Sequence, residues 1–133
     1  MSNYFDSLET RDPEQREREL MARLPRQVAH AKANSPYFAE ALAGVDAASI
    51  NTRAALAQLP VLRKHALIEL QKQHKPFGGL AAAPLAAPFN GLGRVFSSPG
   101  PIYDPEGRAA DWWRFARSLT AAGFRAGDLV HNT

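Results

Sequence analysis

The most informative stretch of the sequence covers residues 94–107, which read Arg94-Val95-Phe96-Ser97-Ser98-Pro99-Gly100-Pro101-Ile102-Tyr103-Asp104-Pro105-Glu106-Gly107. The first three residues form a short β-prone run. The cluster of Ser, Pro and Gly that follows favours a turn or loop, because it can neither stay extended nor continue into a helix. The stretch therefore predicts a strand that ends near Phe96 and opens into a loop over residues 97–103.

A helical pattern and a second strand pattern follow this loop. Apolar side chains recur at helical spacings, and they are Trp112, Phe115, Ala116 and Leu119. Gly123 suits the position just beyond a helix C-terminus, and a second β-prone run covers residues 129–131. Strand, loop, helix, strand is the order of a β-α-β unit with parallel strands, in which ligands bind at the carboxyl ends of the strands. The loop at 97–103 is therefore the candidate ligand site.

Composition limits the class of protein. The chain has 133 residues, of which 45% are apolar and 22% are charged, as in one modest globular domain. It has no cysteine, which excludes disulfides and thiolate metal ligands and favours a reducing compartment. Its sixteen Lys and Arg are scattered among thirteen Asp and Glu, which does not indicate nucleic-acid binding. No apolar run reaches about eighteen residues and the N-terminus is polar, so we expect a cytoplasmic protein without a membrane segment.

The residues before the loop predict a series of helices. Asp12 and Pro13 are typical of an N-cap and a first helical residue, and Pro25 predicts a kink or a split in the helix that begins there. Ser35 and Pro36 predict that this helix ends and a second one begins. Two more helices are expected at about residues 52–59 and 63–74. Residues 76–93 are rich in Pro, Gly and Ala with almost no charge, which favours an irregular connector that packs against apolar surface.

Other chemistry-bearing residues give weaker signals. The histidines are His30, His65, His74 and His131, and none is spaced as a metal pair on one helical turn, so no metal site is predicted. Trp112, Trp113 and Phe115 are interpreted as core residues of the predicted helix more readily than as a stacking platform. Trp113 lies off the main apolar stripe of that helix.

Six different short motifs are distributed along nearly the whole chain. They are Tyr4-Phe5-Asp6 with Glu9, Pro36-Tyr37-Phe38, Leu59-Pro60-Val61-x-Arg63-Lys64, Pro76-Phe77-Gly78, Arg94-Val95-x-x-Ser98-x-Gly100 and Ala122-Gly123-x-Arg125-x-Gly127-Asp128-x-Val130-His131. Together they resemble the amino-terminal portion of phenylacetate-CoA ligases, which are adenylate-forming enzymes. The resemblance implies a chain several times longer that activates an aryl carboxylate with ATP and Mg²⁺, in aromatic catabolism, and passes the acyl group to coenzyme A.

The resemblance also implies an α/β domain organisation. A helical amino-terminal segment is expected at residues 1–75 and an apolar connector at 76–93. The first β-α-β unit of the nucleotide-binding subdomain is expected at 94–133, truncated and incomplete. We expect the uncovered sheet edge to be closed by self-association or by a partner polypeptide, and the carboxylate, ATP and coenzyme A to need the missing remainder.

The family's phosphate-binding loop aligns with the loop at 97–103. It typically reads Ser-Ser-Gly-Thr-Thr-Gly followed by Lys-Pro. The residues implied to contact ATP are Ser97, Ser98, Pro99, Gly100, Pro101, Ile102 and Tyr103, whereas no catalytic residue is implied within the chain. Two prolines remove backbone donors that phosphate binding needs, and Asp104 takes the place of the lysine. Its charge would repel a triphosphate by about 1 kcal/mol at about 4 Å in water. Phosphate binding is thus altered or lost, or phosphate is held by other groups such as Ser97 and Ser98.

Two hypotheses of function remain. The first is the amino-terminal part of a phenylacetate-CoA ligase-like enzyme that has no ligase activity by itself. The second is a non-catalytic helical binding or assembly module, whose apolar connector and Trp113 surface dock on another polypeptide.

Overall fold

Five α-helices and one β-hairpin form the described part of the chain, which comprises residues 3–82 and 91–131 of this computed structural model. The helices are α1 at Pro13–Asn34, α2 at Pro36–Ala41, α3 at Arg53–Ala57, α4 at Ala66–Gln73 and α5 at Ala116–Ala121. Short 3-10 helices lie at Ser7–Thr10 and Ala47–Ser49. The strands are β1 at Leu92–Ser98 and β2 at Ile102–Gly107. Residues 83–90, in the predicted connector, lie outside the described ranges.

The starts of the early helices follow from side chains that accept backbone hydrogen bonds. The carboxylate of Asp12 accepts from the Gln15 N–H at 2.8 Å, and Pro13 occupies the first helical position, as the sequence predicts. The hydroxyl of Ser35 accepts from the Phe38 N–H at the start of α2. Pro25 lies inside α1, which continues through it to Asn34, so the predicted split does not occur.

The helices enclose a small apolar core. Val28 of α1, Leu42 after α2 and Ile50 after the second 3-10 helix are buried together. The partly buried side chains around them are Phe38, Val45, Ala47, Ala55 and Leu59. An exposed ion pair ties α3 to α1, since the Arg53 guanidinium donates to both carboxylate oxygens of Glu17 at 2.5 and 2.7 Å.

A turn after α4 connects the helices to the rest of the chain. The buried Ser35 hydroxyl donates to the Gly79 carbonyl at 2.8 Å, and the Tyr37 N–H donates to the same carbonyl at 3.1 Å. Gly78 has a φ of +68°, and a Cβ there would press against Leu70 at 3.1 Å, so both the conformation and the space favour glycine. Residues 76–79 of the predicted connector are thus a packed turn.

The hairpin corrects the expected sheet pairing. β1 and β2 are antiparallel, with Arg94 opposite Glu106, Phe96 opposite Asp104 and Ser98 opposite Ile102. The predicted parallel pairing of residues 94–96 with 129–131 is wrong, because β1 pairs instead with the residues just after its own turn. Residues 129–131 form no strand, and the Leu129 side chain is 102% exposed.

The predicted helix after Gly107 is shorter than its apolar pattern suggests. Residues 108–115 are turns and irregular backbone, and only Ala116–Ala121 is helical. Asp111 and Arg114 have φ values of +50° and +56°, in the left-handed region that interrupts a right-handed helix. The expected mixture of helix and sheet is confirmed, whereas the parallel β-α-β arrangement within it is not.

No helix among the described residues has the length and apolar character needed to cross a membrane.

Candidate functional site

The seven residues of the predicted phosphate loop lie together at one end of the hairpin. Ser97 and Ser98 end β1, the turn covers residues 99–101, and Ile102 and Tyr103 begin β2. Ser97 is opposite Tyr103 and Ser98 is opposite Ile102. The sequence therefore identified a contiguous cluster, but the cluster is the tip of an antiparallel hairpin and not a strand-to-helix loop.

Ile102 of the tip is buried and Ser98 is half-buried, whereas the other five residues are exposed, and the tip offers few groups for an anion. Pro99 and Pro101 have no N–H, which leaves Gly100, with a φ of +144°, as the residue of the turn that carries a backbone donor. The Ser97 hydroxyl lies 3.5 Å from the Ser98 carbonyl. Asp104 brings a carboxylate to β2, and residues 97–103 contain no Lys or Arg. This donor set does not fit a triphosphate by itself, so other parts of a nucleotide site would have to supply the cations.

Gln71 holds the tip in place from the neighbouring helix α4. The residue is 7% exposed, and its side-chain amide donates to the Tyr103 carbonyl at 2.9 Å and accepts from the Tyr103 N–H at 2.8 Å. The amide thus makes the two hydrogen bonds that a neighbouring strand would make. Sequence reasoning missed this role, although a glutamine on the same helical face as Leu67 and Ile68 is a signal for it.

The other end of the hairpin is held by Glu106. One of its carboxylate oxygens accepts from Arg94 Nε at 2.7 Å, and the other accepts from the Trp113 indole N–H at 2.6 Å. The hydrogen bond from Trp113, together with the bond and charge of Arg94, holds the pKa of Glu106 below its ordinary value despite burial, which acts in the opposite direction. Sequence reasoning assigned Glu106 to turn chemistry and did not identify this cluster.

The tryptophans pack on the hairpin instead of forming the stripe of a helix. The Phe96 and Trp113 rings meet edge to face at a centroid distance of 6.4 Å. The Arg94 guanidinium carbon lies 5.7 Å from the centroid of the Phe96 ring. The Trp112 ring lies so close to Gly107 that a Cβ there would collide with it. The expectation that Trp112, Trp113 and Phe115 form a helix core is wrong, because all three are exposed.

A separate cavity of about 610 Å³ lies between α2 and the turn after α4. Its lining includes Tyr37, Glu40, Leu70, His74, Lys75 and Phe77. None of residues 97–103 lines it, so it is distinct from the hairpin tip. No group of three His, Cys, Asp or Glu side chains among the described residues is arranged to hold a metal ion.

Comparison with known proteins adds a fold relationship. No family model matches the chain, and no curated protein matches it. A crystal structure of 2-hydroxyisobutyryl-CoA ligase in the postadenylation state, in complex with 2-HIB-AMP, matches with a TM-score of 0.79 and 26% sequence identity. The match covers 96% of this chain and 28% of the ligase chain.

Two further crystal structures of 2-hydroxyisobutyryl-CoA ligase match over the same share of this chain. One contains R3-HIB-AMP, with a TM-score of 0.77, 25% identity and 96% of this chain against 27% of the ligase. The other contains 2-HIB-AMP and CoA in the thioesterification state, with a TM-score of 0.77, 26% identity and coverage of 96% and 28%. The chain therefore spans little more than a quarter of the length of the solved structures it matches, and its fold is that of the amino-terminal part of an adenylate-forming CoA ligase.

Proposed function

We propose that this chain is the amino-terminal part of a carboxylate-CoA ligase, and that the hairpin tip at 97–103 faces the phosphates of ATP. The ligase activates a carboxylic acid as its acyl adenylate and transfers the acyl group to coenzyme A. The observation that carries the proposal is the fold match over 96% of the chain, at 26% identity, to a ligase solved with an acyl-AMP. The sequence resemblance to phenylacetate-CoA ligases supports an aryl carboxylate as the substrate.

The domain organisation proposed with this function has three parts. Residues 1–75 are a helical segment that supports the site, residues 76–93 connect it, and residues 94–133 begin the nucleotide-binding subdomain. In this arrangement Gln71 links the first part to the third through the Tyr103 backbone. MgATP would supply the adenylyl group that activates the carboxylate in the whole enzyme, with release of pyrophosphate, while this chain positions the tip and contributes the hydroxyls of Ser97 and Ser98.

The chain by itself is proposed to lack ligase activity. Residues 97–103 carry no cation for the triphosphate, and Asp104 adds a negative charge beside it. We therefore expect no ATP-pyrophosphate exchange with phenylacetate or 2-hydroxyisobutyrate on the 133-residue chain. Clear turnover of either acid would contradict this part of the proposal.

Nucleotide binding is tested by titrating MgATP into the ¹⁵N-labelled chain and following amide shifts. We expect weak binding with the largest shifts at Ser98 and Gly100. The Asp104→Asn variant is expected to bind about fivefold more tightly, since removing a repulsion of about 1 kcal/mol changes a dissociation constant by that factor. Glu14→Gln removes the same charge from the first turn of α1, outside the tip, and is the matched control. Equal effects of the two variants, or shifts that avoid the tip, would refute the assignment.

A non-catalytic assembly module is the second candidate function. It is favoured by the exposed large apolar side chains between Val95 and Val130, which an isolated soluble domain rarely presents together. An encoding gene that ends at Thr133 and a chain that shows no ATP-dependent amide shifts would favour this candidate over the ligase.

A further inference from the structure

The turn after α4 rests on the side chain that holds the hairpin tip. Gly78 donates its N–H to the His74 carbonyl at 2.7 Å, which folds the chain back onto the end of α4. A Cβ at Gly78 would lie 3.1 Å from Leu70 Cβ and 3.4 Å from Gln71 Cγ, so the Gly78 backbone packs on the aliphatic stem of Gln71. Gln71 therefore contacts both the turn and the Tyr103 backbone.

Ser35 anchors this turn from the junction of α1 and α2. The residue is 4% exposed, and its hydroxyl donates to the Gly79 carbonyl at 2.8 Å. The Tyr37 N–H donates to the same carbonyl at 3.1 Å. The Ser35 hydroxyl also accepts from the Phe38 N–H, but at 3.4 Å, so its bond to Gly79 is the shorter one. Ser35 thus fixes the turn that contacts Gln71 as well as starting α2.

These contacts join the helical part of the chain to the hairpin. Ser35 reaches Gly79 across 44 residues of sequence, Gly79 is covalently bonded to Gly78, and Gln71 reaches Tyr103 across 32 residues. Ser35, Gln71 and Gly78 are buried. Each step is a bond or a packing contact between described residues, so the connection is present whatever a longer polypeptide adds around it.

We propose that Ser35 is a positioning residue for the hairpin tip, and that it acts through the Gly78–Gly79 turn and Gln71. Without its hydroxyl the Gly79 carbonyl loses the shorter of its two hydrogen bonds, and the turn is loosened from α2. The stem of Gln71 then loses a fixed neighbour, and its amide holds the Tyr103 backbone less firmly. What the tip does for ATP rests on the proposed function, whereas its positioning by Ser35 does not.

Ser35 is also the N-cap of α2, and a cap can stabilise its helix without acting on a distant hairpin. If capping were its whole role, loss of the hydroxyl would lower the stability of the fold and leave the native tip unchanged. Positioning changes the folded state itself. Chemical shifts of the folded chain separate the two roles, because they do not depend on the small unfolded fraction.

The reporter is the Gln71 side-chain amide proton that donates to the Tyr103 carbonyl, followed by NMR on the 133-residue chain. Ser35→Ala is expected to move this proton upfield, because a longer hydrogen bond deshields its proton less. Amide exchange at Tyr103 should accelerate by up to about fivefold, which corresponds to the full loss of one hydrogen bond.

Thr52→Ala is the matched control. It removes the N-cap hydroxyl of α3, which accepts from the Ala55 N–H at 3.1 Å, and should leave the Gln71 proton in place. Equal shifts of that proton in the two variants, or no shift in Ser35→Ala, would overturn the proposal. Ser35→Cys keeps the shape of the side chain but offers only a weak donor. It is expected to shift the Gln71 proton in the same direction as Ser35→Ala, without opening space at the buried site.

A double-mutant cycle tests the route. In a Gln71→Leu background the tip has already lost the amide, so Ser35→Ala is expected to add no further acceleration of exchange at Tyr103. Additive effects of the two substitutions would show that Ser35 affects the tip by another route and would contradict the proposal.

Neither measurement needs a nucleotide. A Gln71 proton that moves in Ser35→Ala supports the positioning role even where MgATP shifts no amide of the tip, a result that counts only against the proposed function. Where MgATP does bind, Ser35→Ala is expected to weaken its binding and Thr52→Ala to leave it unchanged. Equal affinities of the parent chain and Ser35→Ala, together with an unmoved Gln71 proton, would refute the positioning role and leave the proposed function standing.

Discussion

Glu106 is the one buried carboxylate among the described residues. It is 8% exposed, and each of its oxygens accepts a hydrogen bond from a different element, Arg94 on β1 and Trp113 after the hairpin. Hydrogen bonds to the charged form favour ionisation, which lowers the pKa of the carboxyl group. The hydrogen bond that holds Trp113 against the hairpin is therefore made to the ionised form of Glu106.

The stability of the hairpin is predicted to fall in acid. Because the folded-state pKa of Glu106 lies below its unfolded value of about 4.5, its ionised form contributes stability above that value and loses it as the pH falls through the folded pKa. Urea unfolding at pH 6, 5, 4 and 3, followed by Trp fluorescence, should show this loss.

Two variants test the cause of that loss. Trp113→Phe keeps the ring but removes the N–H, so it should reduce the acid dependence and shift the pKa of Glu106 upward. Glu14→Gln, on the exposed face of α1, serves as the control and should leave the dependence unchanged. If Trp113→Phe and the parent chain lose stability in parallel, the indole hydrogen bond is not what lowers the pKa.

At the scale of secondary structure, α4 occupies the place beside β2 where a third strand would otherwise lie. A two-stranded hairpin is marginally stable in water, and it is stabilised here by a helix that donates and accepts through Gln71. This contact joins elements that are 32 residues apart in sequence. The position of the hairpin tip relative to the helices follows from it.

Gln71→Leu is predicted to loosen the hairpin. The leucine keeps the apolar contacts of α4 but leaves the Tyr103 N–H and carbonyl without their partner, at a cost of about 1–3 kcal/mol. Amide hydrogen exchange at Tyr103 should accelerate by one to two orders of magnitude, in proportion to that cost. Gln73→Leu, on the same helix but bonded only to Glu69 among the described contacts, is the matched control. Unchanged protection of Tyr103 in Gln71→Leu would contradict the role of the amide.

The elements that sequence reasoning predicted well are those with local signals. Asp12 and Ser35 determine the starts of α1 and α2 through bonds to residues three positions away, so their neighbours in sequence suffice. The hairpin was missed because Pro105 argues against a strand, and only an outward-facing edge position accommodates it. The predicted helix does not extend over residues 108–115, where Trp113 donates a hydrogen bond to Glu106 and the backbone follows turns instead.

The candidate site was predictable in position but not in shape. Resemblance identified residues 97–103, and the structure holds them at one hairpin tip. Their support by Gln71 could not be derived from spacing, because it depends on how α4 packs against β2. Whether the tip contacts ATP stays a prediction.

Across the whole molecule, burial is uneven. The helical part encloses Val28, Leu42 and Ile50, whereas every large apolar side chain described between Trp112 and Val130 is exposed. An ion pair at 2.8 Å between Asp6 and Arg117 ties α5 back to the start of the chain. This bond lowers the pKa of Asp6.

Residues 112–131 are therefore predicted to exchange amide hydrogens faster than residues 20–42. Few buried contacts oppose local opening there, and hydrogen exchange by mass spectrometry measures the difference. Arg117→Gln should accelerate the exchange of α5 further, whereas Arg108→Gln, which breaks no described ion pair, should not. Slower exchange in 112–131 than in α1 would show that this segment is covered in solution.

The closure of β2 by Gln71 limits how far the sheet can be extended. On β2 the Tyr103 N–H and carbonyl are both bound by a helix side chain, so no further strand can pair with them while α4 stays docked. Gln71 thereby protects this margin of the hairpin from the edge-to-edge pairing on which amyloid-like sheets are built. Loss of that one glutamine would leave the margin open.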